Sequence, residues 1–104
     1  MYTIIRTDTA DSCLTNIILY VAEKFGTDTA LEKLSQIEHS INSLADNPYI
    51  GMDPKFMILR RQGFKVLVLE KDLVFYKINE SEMTVTVYAV TDHRQDYMKI
   101  LKGL

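Results

Sequence analysis

Two groups of side chains in the C-terminal half have the residue types that act on phosphate. Arg60 and Arg61 stand directly before a Gln-Gly turn, and His93, Arg94 and Tyr97 follow the last strongly apolar run. A guanidinium group binds phosphate oxygens through paired hydrogen bonds, and an imidazole with a pKa of about 6.5 exchanges protons near neutral pH. These side chains are suited either to binding the phosphate backbone of a nucleic acid or to cleaving one of its phosphodiester bonds.

The first three of these side chains each have a structural alternative to a functional role. Arg60 and Arg61 are adjacent at the end of a predicted strand, so one is expected to face the site while the other points away. Both could instead be edge charges that discourage strand pairing. His93 is the best general acid or base by residue type, or it holds a loop through a hydrogen bond.

The residues that follow His93 also have structural alternatives to a functional role. Arg94 either contacts phosphate or forms a salt bridge with Asp92 or Asp96. Tyr97 either donates a proton, stacks on an unpaired base, or closes the core in front of an apolar segment.

Charge along the chain is asymmetric. Residues 1–55 carry four Lys/Arg against eight Asp/Glu, a net charge of −4, and residues 56–104 carry eight against six, a net charge of +2. Lys65 and Lys77 lie in neighbouring predicted strands and are expected to line one face, where they would steer an anionic ligand or aid solubility. The whole chain has a net charge of −2, well below that of a strongly basic nucleic-acid-binding domain.

Composition narrows the class of protein further. A chain of 104 residues with 47% hydrophobic and 25% charged residues is predicted to be one folded domain spanning residues 1–104. No apolar run is long enough to cross a membrane, no signal peptide is evident, and Cys13 has no partner for an internal disulfide, so a cytoplasmic location is expected. The few cysteines and histidines have no metal-ligand spacing and no Gly-rich phosphate loop occurs, so no cofactor or metal is predicted.

Apolar spacing predicts an α+β fold with the order β-α-α-β-β-β-β. A strand at 2–6 precedes two amphipathic helices, the first ending at Gly26 and the second beginning with a Thr29–Glu32 capping box. Pro48 follows the second helix, and Tyr97–Leu101 is expected to form a last short helix. Four strand candidates lie between them: Phe56–Arg61, Phe64–Glu70, Leu73–Ile78 and Met83–Val90. The helical hairpin is expected to pack on an antiparallel sheet.

Several motifs accompany this order of elements. They are Asn47-Pro48-x-x-Gly51, Leu59-Arg60-Arg61-Gln62-Gly63-Phe64-Lys65, Val74-Phe75-Tyr76-Lys77-Ile78, Val87-Tyr88-Ala89-Val90 and His93-Arg94-Gln95-Asp96-Tyr97. Together they resemble the RelE/ParE superfamily of toxins from bacterial type II toxin–antitoxin systems, which includes plasmid stabilisation proteins. The resemblance covers essentially the whole chain. It implies a growth-arresting toxin that a cognate antitoxin protein wraps and silences.

The resemblance implies two mechanisms, and the first hypothesis is metal-independent endoribonuclease action on mRNA at the ribosome. Arg60 aligns with the family's phosphate-contacting arginine, and Arg61, Lys65 and Lys77 would bind substrate. His93 would move protons, with Arg94 and Tyr97 in support. The alternatives are a non-enzymatic inhibitor of DNA gyrase, as in the ParE branch, and a non-toxic module that only binds an antitoxin.

Two departures from the family pattern weaken the ribonuclease hypothesis. The acidic chain neutralises phosphate poorly, and Lys65 replaces an arginine found in many relatives, which removes the bidentate fork.

Overall fold

A helical hairpin covers one face of a four-stranded sheet in the computed structural model, which describes residues 1–93 and 97–102. The helices are α1 (Asp8–Phe25), α2 (Thr27–Asn42), α3 (Met57–Arg61) and α4 (Tyr97–Lys102). The strands are β1 (Thr3–Arg6), β2 (Lys65–Val68), β3 (Asp72–Asn79) and β4 (Thr84–Asp92). Short 3-10 turns at Ser43–Ala45 and Pro48–Ile50 follow the hairpin. The predicted α+β class, the hairpin on the sheet and the short C-terminal helix are confirmed.

Local signals explain the hairpin. The Thr7 side chain caps α1 by accepting a hydrogen bond from the Ala10 N–H at 3.0 Å, and Gly26 ends α1 with a φ of 96°. The same glycine is the N-cap of α2, so the turn between the helices is a single residue. The predicted capping box at Thr29 is therefore wrong, since α2 already begins at Thr27. None of the described helices has the length and apolar character needed to cross a bilayer.

The sheet has the strand order β1-β4-β3-β2. The hairpins β2–β3 and β3–β4 are antiparallel, as predicted, whereas β1 pairs with β4 in parallel, with Thr3 opposite Thr84. Parallel pairing needs a long crossover connection, and here the helical hairpin is part of it. The sheet is thus antiparallel except at its β1 edge.

The predicted strand Phe56–Arg61 is wrong, because Met57–Arg61 forms the short helix α3. Leu59 is its one buried residue, and Gly63 closes its C-terminal end with a φ of 87°. The Gly63 N–H donates to the Arg60 carbonyl at 3.0 Å, and the Phe64 N–H donates to the Leu59 carbonyl at 3.1 Å. A run of four apolar residues has no clear period, so its sequence does not distinguish a strand from one helical turn.

Buried side chains form a cluster on each side of the sheet. The larger cluster lies between the sheet and the hairpin, where Ile41 and Leu44 meet Val74, Tyr76 and Val85. The smaller cluster lies on the opposite face and includes Leu59 of α3 and Leu101 of α4, with Phe64, Val66, Phe75 and Ala89. Residues of β3 alternate between these clusters, so the face of each candidate side chain follows from the strand register.

Candidate functional site

Lys77, Phe64 and Tyr88 form a cationic aromatic cluster on the sheet face opposite the hairpin. The Lys77 Nζ lies 4.6 Å from the centroid of the Phe64 ring and 5.1 Å from that of Tyr88. The two rings meet edge to face, with centroids 5.4 Å apart and planes at 81°. Phe64 is buried, while Lys77 and Tyr88 are half-buried, so the ammonium and the phenol are within reach of a ligand.

A β-bulge in β4 positions Tyr88 in this cluster. Phe75 pairs with Ala89 and Tyr76 with Val87, which leaves Tyr88 as an extra residue between them. The bulge turns Tyr88 and Ala89 towards the same face, where strict alternation would have separated them. Thr7, the N-cap of α1, donates from its hydroxyl to the Tyr88 carbonyl at 3.2 Å and from its N–H to the Val87 carbonyl at 3.1 Å. The start of the hairpin therefore holds the bulge.

Lys65 lies on the other face of the sheet. It pairs with Tyr76, so the two side chains share a face, and Lys77, the next residue of β3, points away. The Lys65 Nζ lies 3.5 Å from the Asp53 Oδ1 and 5.9 Å from the centroid of the Tyr49 ring. The expectation that Lys65 and Lys77 line one face is therefore wrong. It failed because the face of a lysine depends on strand register.

The two arginines of α3 differ in their contacts. The Arg60 Nε donates to the Pro54 carbonyl at 2.5 Å, so this guanidinium fastens the loop that precedes its own helix. Arg61 is exposed and makes no hydrogen bond or ion pair with the part of the chain that the structure describes. The predicted placement on opposite faces of a strand end is wrong, because both residues lie in the last turn of a helix.

His93 lies at the turn between β2 and β3. Its N–H donates to the Lys71 carbonyl at 3.3 Å, and its ring Nε2 is 3.2 Å from the Leu69 carbonyl, a hydrogen bond that requires a proton on Nε2. This is the loop-holding role given above as the alternative to catalysis. His93 follows the pair Asp72–Asp92, while Lys77 lies five residues further along β3, about 16 Å away at the usual rise of a strand.

The remaining candidates follow β4 in the sequence. Arg94 lies outside the described residues, and Tyr97 is described only as the first residue of α4, without its side chain. Their proposed roles stay predictions. Across residues 1–93 and 97–102, the structure has no group of three or more His, Cys, Asp and Glu side chains placed to hold a metal ion.

The motif Asn47-Pro48-x-x-Gly51 has a structural explanation. The buried Tyr76 hydroxyl donates to the Pro48 carbonyl at 2.7 Å and accepts from the Gly51 N–H at 3.0 Å. Burial raises the pKa of Tyr76 above its ordinary value of 10.0, and the hydrogen bond from Gly51 offsets part of that rise. Next to this loop, Met52 and Val66 exchange two backbone hydrogen bonds of 2.9 Å, which cover the middle of the β2 edge.

Several solved structures with a similar fold come from bacterial toxin–antitoxin systems. The chain is similar to a structure of the chromosomal ParDE system of Pseudomonas aeruginosa, with a TM-score of 0.73 and 17% identity over 88% of this chain and 96% of that one. It is similar to the RelBE2 complex of Mycobacterium tuberculosis, with a TM-score of 0.60 and 18% identity over 88% and 98%. It is also similar to the isolated RelE toxin of Escherichia coli, with a TM-score of 0.55 and 16% identity over 99% and 98%. The fold is that of the RelE/ParE superfamily, as the sequence resemblance implied.

A family model also matches most of the chain. The model for the ParE toxin of type II toxin–antitoxin systems matches residues 4–97. The chain belongs to this family of toxins. No curated protein matches the sequence at a significant level.

Proposed function

We propose that this toxin arrests growth by binding DNA gyrase, with no catalytic step of its own. The observation that carries the proposal is the separation of the side chains expected to cut RNA. Arg60 is engaged by the Pro54 carbonyl, Lys65 lies across the sheet from Lys77, and His93 hydrogen-bonds the β2–β3 turn. A phosphoryl-transfer site needs its acid, base and cation within hydrogen-bond reach of one phosphate.

The charge of the chain also supports a protein target. A net charge of −2 gives little phosphate neutralisation, which is the main source of affinity for RNA. A protein surface offers apolar and polar contacts that do not depend on net charge. The proposal places residues 1–104 in one toxin domain that acts in the cytoplasm, where the chromosome is supercoiled.

The cationic aromatic cluster favours a second candidate, the metal-independent endoribonuclease. An aromatic ring on which a base can stack and an ammonium group together fit an unstacked base and its phosphate. Lys77 and Tyr88 are both partly accessible for that purpose. In this mechanism Lys77 would bind phosphate, Tyr88 would contact a base, and Arg94 and Tyr97 would complete the site.

A cognate antitoxin is the proposed partner under both mechanisms. The relatives from P. aeruginosa and M. tuberculosis are described as a toxin–antitoxin system and a toxin–antitoxin complex. Apolar side chains that are each more than half exposed border the β2 edge and α3: Tyr49, Ile50, Met52, Met57 and Ile58. Such a concentration on a small protein is typical of a binding surface. Co-expression with the antitoxin is expected to raise the soluble yield.

The two mechanisms are separated by measuring both activities on one preparation. Purified toxin is added to a gyrase supercoiling reaction, and mRNA 5′ ends are mapped in cells after induction. Loss of supercoiling without new 5′ ends supports the gyrase proposal. New 5′ ends that disappear in Lys77→Gln, with supercoiling intact, would replace it with the ribonuclease.

A further inference from the structure

An acidic groove lies between the helical hairpin and the end of the sheet that carries the β2–β3 turn. Its volume is about 1420 Å³, larger than the roughly 300–1,000 Å³ of ordinary small-molecule sites. The described residues that line it include five carboxylates and two lysines, which gives a net charge of −3: Asp8, Glu32, Glu70, Asp72, Asp92, Lys33 and Lys71. The size indicates a peptide segment, and the sign of the charge indicates a basic one.

Asp72 gives this groove a specific acceptor. Asp72 is 3% exposed, and its Oδ2 lies 3.0 Å from the Lys33 Nζ of α2. The other oxygen, Oδ1, is buried without a hydrogen-bond donor from any described residue. A buried carboxylate oxygen is stabilised when a charged donor reaches it. The Lys33 side chain is 23% exposed, and both Lys33 and Asp72 line the groove, so this ion pair is part of the groove wall.

The walls of the groove are apolar as well as acidic. Ile17, Tyr20 and Phe25 of α1 line one side, and Ile37 of α2 lines the floor between the helices. Tyr20 and Phe25 are 51% and 69% exposed. An occupant with both a cation and apolar side chains matches this combination better than a polyamine or a metal ion does.

We propose that the groove docks a partly apolar segment of the antitoxin, with an arginine of that segment bound to Asp72 Oδ1. The assignment to the antitoxin rests on the proposed function, whereas the chemistry of the segment rests on the groove alone. Arginine fits better than lysine because its planar fork of donors bonds Asp72 Oδ1 and a second carboxylate of the rim together. Glu32 and Glu70 are exposed rim residues that provide this second acceptor.

Peptide binding to the full chain tests the proposal. The probe is a fluorescein-labelled peptide of three Leu-Ala-Ala-Arg repeats, followed by fluorescence anisotropy, with Lys and Glu versions of the repeat as controls. We expect the Arg peptide to bind, the Glu peptide not to bind, and Asp72→Asn to weaken the Arg peptide by at least about tenfold. Equal binding of the Arg and Glu peptides, or unchanged binding by Asp72→Asn, would overturn the proposal. Equal binding of the Lys peptide would overturn the assignment to arginine.

Surface variants keep the test decisive if Asp72→Asn does not fold. Glu32→Gln/Glu70→Gln changes two exposed carboxylates of the groove and is expected to weaken the Arg peptide several-fold. The matched control Glu23→Gln/Glu80→Gln removes the same charge at exposed positions outside the groove and is expected to leave binding unchanged. If both double variants lost the same amount of affinity for the Arg peptide, the loss would be explained by net charge alone. That result would overturn the proposed site. The Arg peptide could still bind while the gyrase and RNA assays are both negative. That result would reject the proposed function but leave the groove as a binding site for a basic peptide.

Discussion

The backbone N–H of Gly51 donates a hydrogen bond to the phenol oxygen of Tyr76 at 3.0 Å. The same phenol donates to the Pro48 carbonyl at 2.7 Å, so one buried side chain satisfies two backbone groups of the loop after α2. The loop is thereby fixed to the middle of the sheet, at the side where Lys65 and Tyr49 meet.

Gly51→Ala is expected to destabilise the protein through a steric clash. An added Cβ would collide with the Tyr76 hydroxyl and lie 2.8 Å from the Val66 carbonyl oxygen. The φ of Gly51 is −71°, so backbone strain plays no part. Overpacking of this kind costs about 1–3 kcal/mol, measured as the free energy of unfolding in urea.

Gly63→Asn is the control for Gly51→Ala. Gly63 has a φ of 87° and no atom within 4 Å of an added Cβ, and asparagine tolerates left-handed backbone better than other residues do. We expect a loss below about 1 kcal/mol, close to the usual cost of a surface change. A loss equal to that of Gly51→Ala would contradict the steric explanation.

Tyr76→Phe is expected to lower stability at neutral pH and to change its pH dependence. The variant leaves the Gly51 N–H and the Pro48 carbonyl without their partner, which costs about 1–3 kcal/mol. Burial keeps the pKa of Tyr76 above its unfolded value of 10.0, so the folded protein retains a proton that the unfolded chain loses above that pH. The wild type therefore loses this part of its stability as the pH rises beyond 10, and its advantage over Tyr76→Phe shrinks. A constant difference between pH 8 and pH 11 would contradict this assignment.

Arg60→Ala and Arg61→Ala form a matched pair on one helix. Arg60→Ala removes the donor to the Pro54 carbonyl and is expected to cost about 1 kcal/mol, whereas Arg61→Ala is expected to stay within about 0.5 kcal/mol. Toxicity is then measured as growth after induction. The comparison shows whether Arg60 affects toxicity only by stabilising the folded protein. If Arg60→Ala abolished toxicity at unchanged stability and abundance, Arg60 would instead contact the target.

Lys33→Met tests the ion pair between the hairpin and the sheet. It leaves the buried Asp72 carboxylate without its cation, which for a buried pair costs about 3–5 kcal/mol. Adding Asp72→Asn removes the uncompensated charge, so the double variant is expected to be more stable than Lys33→Met alone. Chemical denaturation of the four members of this cycle gives the coupling between the two residues. Additive effects would show that the 3.0 Å contact contributes nothing.

Lys77→Gln tests whether the cationic aromatic cluster contacts the target of the toxin, in a variant that is expected to fold. A partly exposed cation over two rings contributes about 0.5–2 kcal/mol, so the variant is expected to fold. The ribonuclease mechanism, in which Lys77 binds phosphate, predicts weaker growth arrest for this variant. Lys71→Gln, an exposed lysine on the β2–β3 turn, is the control for the loss of one charge. Equal toxicity of Lys77→Gln and the wild type would remove this cluster from the target surface.

Local patterns determined much of the fold in advance. The apolar spacing of α1 and the positive φ available to Gly26 are properties of a few neighbouring residues, and both elements appear where the sequence placed them. Met57–Arg61 was assigned wrongly because the balance between strand and helix depends on burying Leu59 under the sheet and on the cap at Gly63. That information comes from distant contacts.

The candidate site was less predictable for the same reason. Lys77 was selected from its residue type, but its partners Phe64 and Tyr88 follow from the bulge between β3 and β4. A bulge is a property of two strands paired together, and one strand read alone shows only an interruption of its alternation after Val87. Lys65 was assigned to the wrong face because its orientation depends on pairing with Tyr76.

The parallel pairing of β1 with β4 has a consequence for the timing of folding. Thr3 meets its partner Thr84 only 81 positions later, so this edge pairing of the sheet joins residues that are far apart in sequence. A nascent chain keeps its first strand unpaired until the last strand has been synthesised. Messages cut or stalled before that point yield chains without a closed sheet, and the bulge that Thr7 holds at Tyr88 does not form in them.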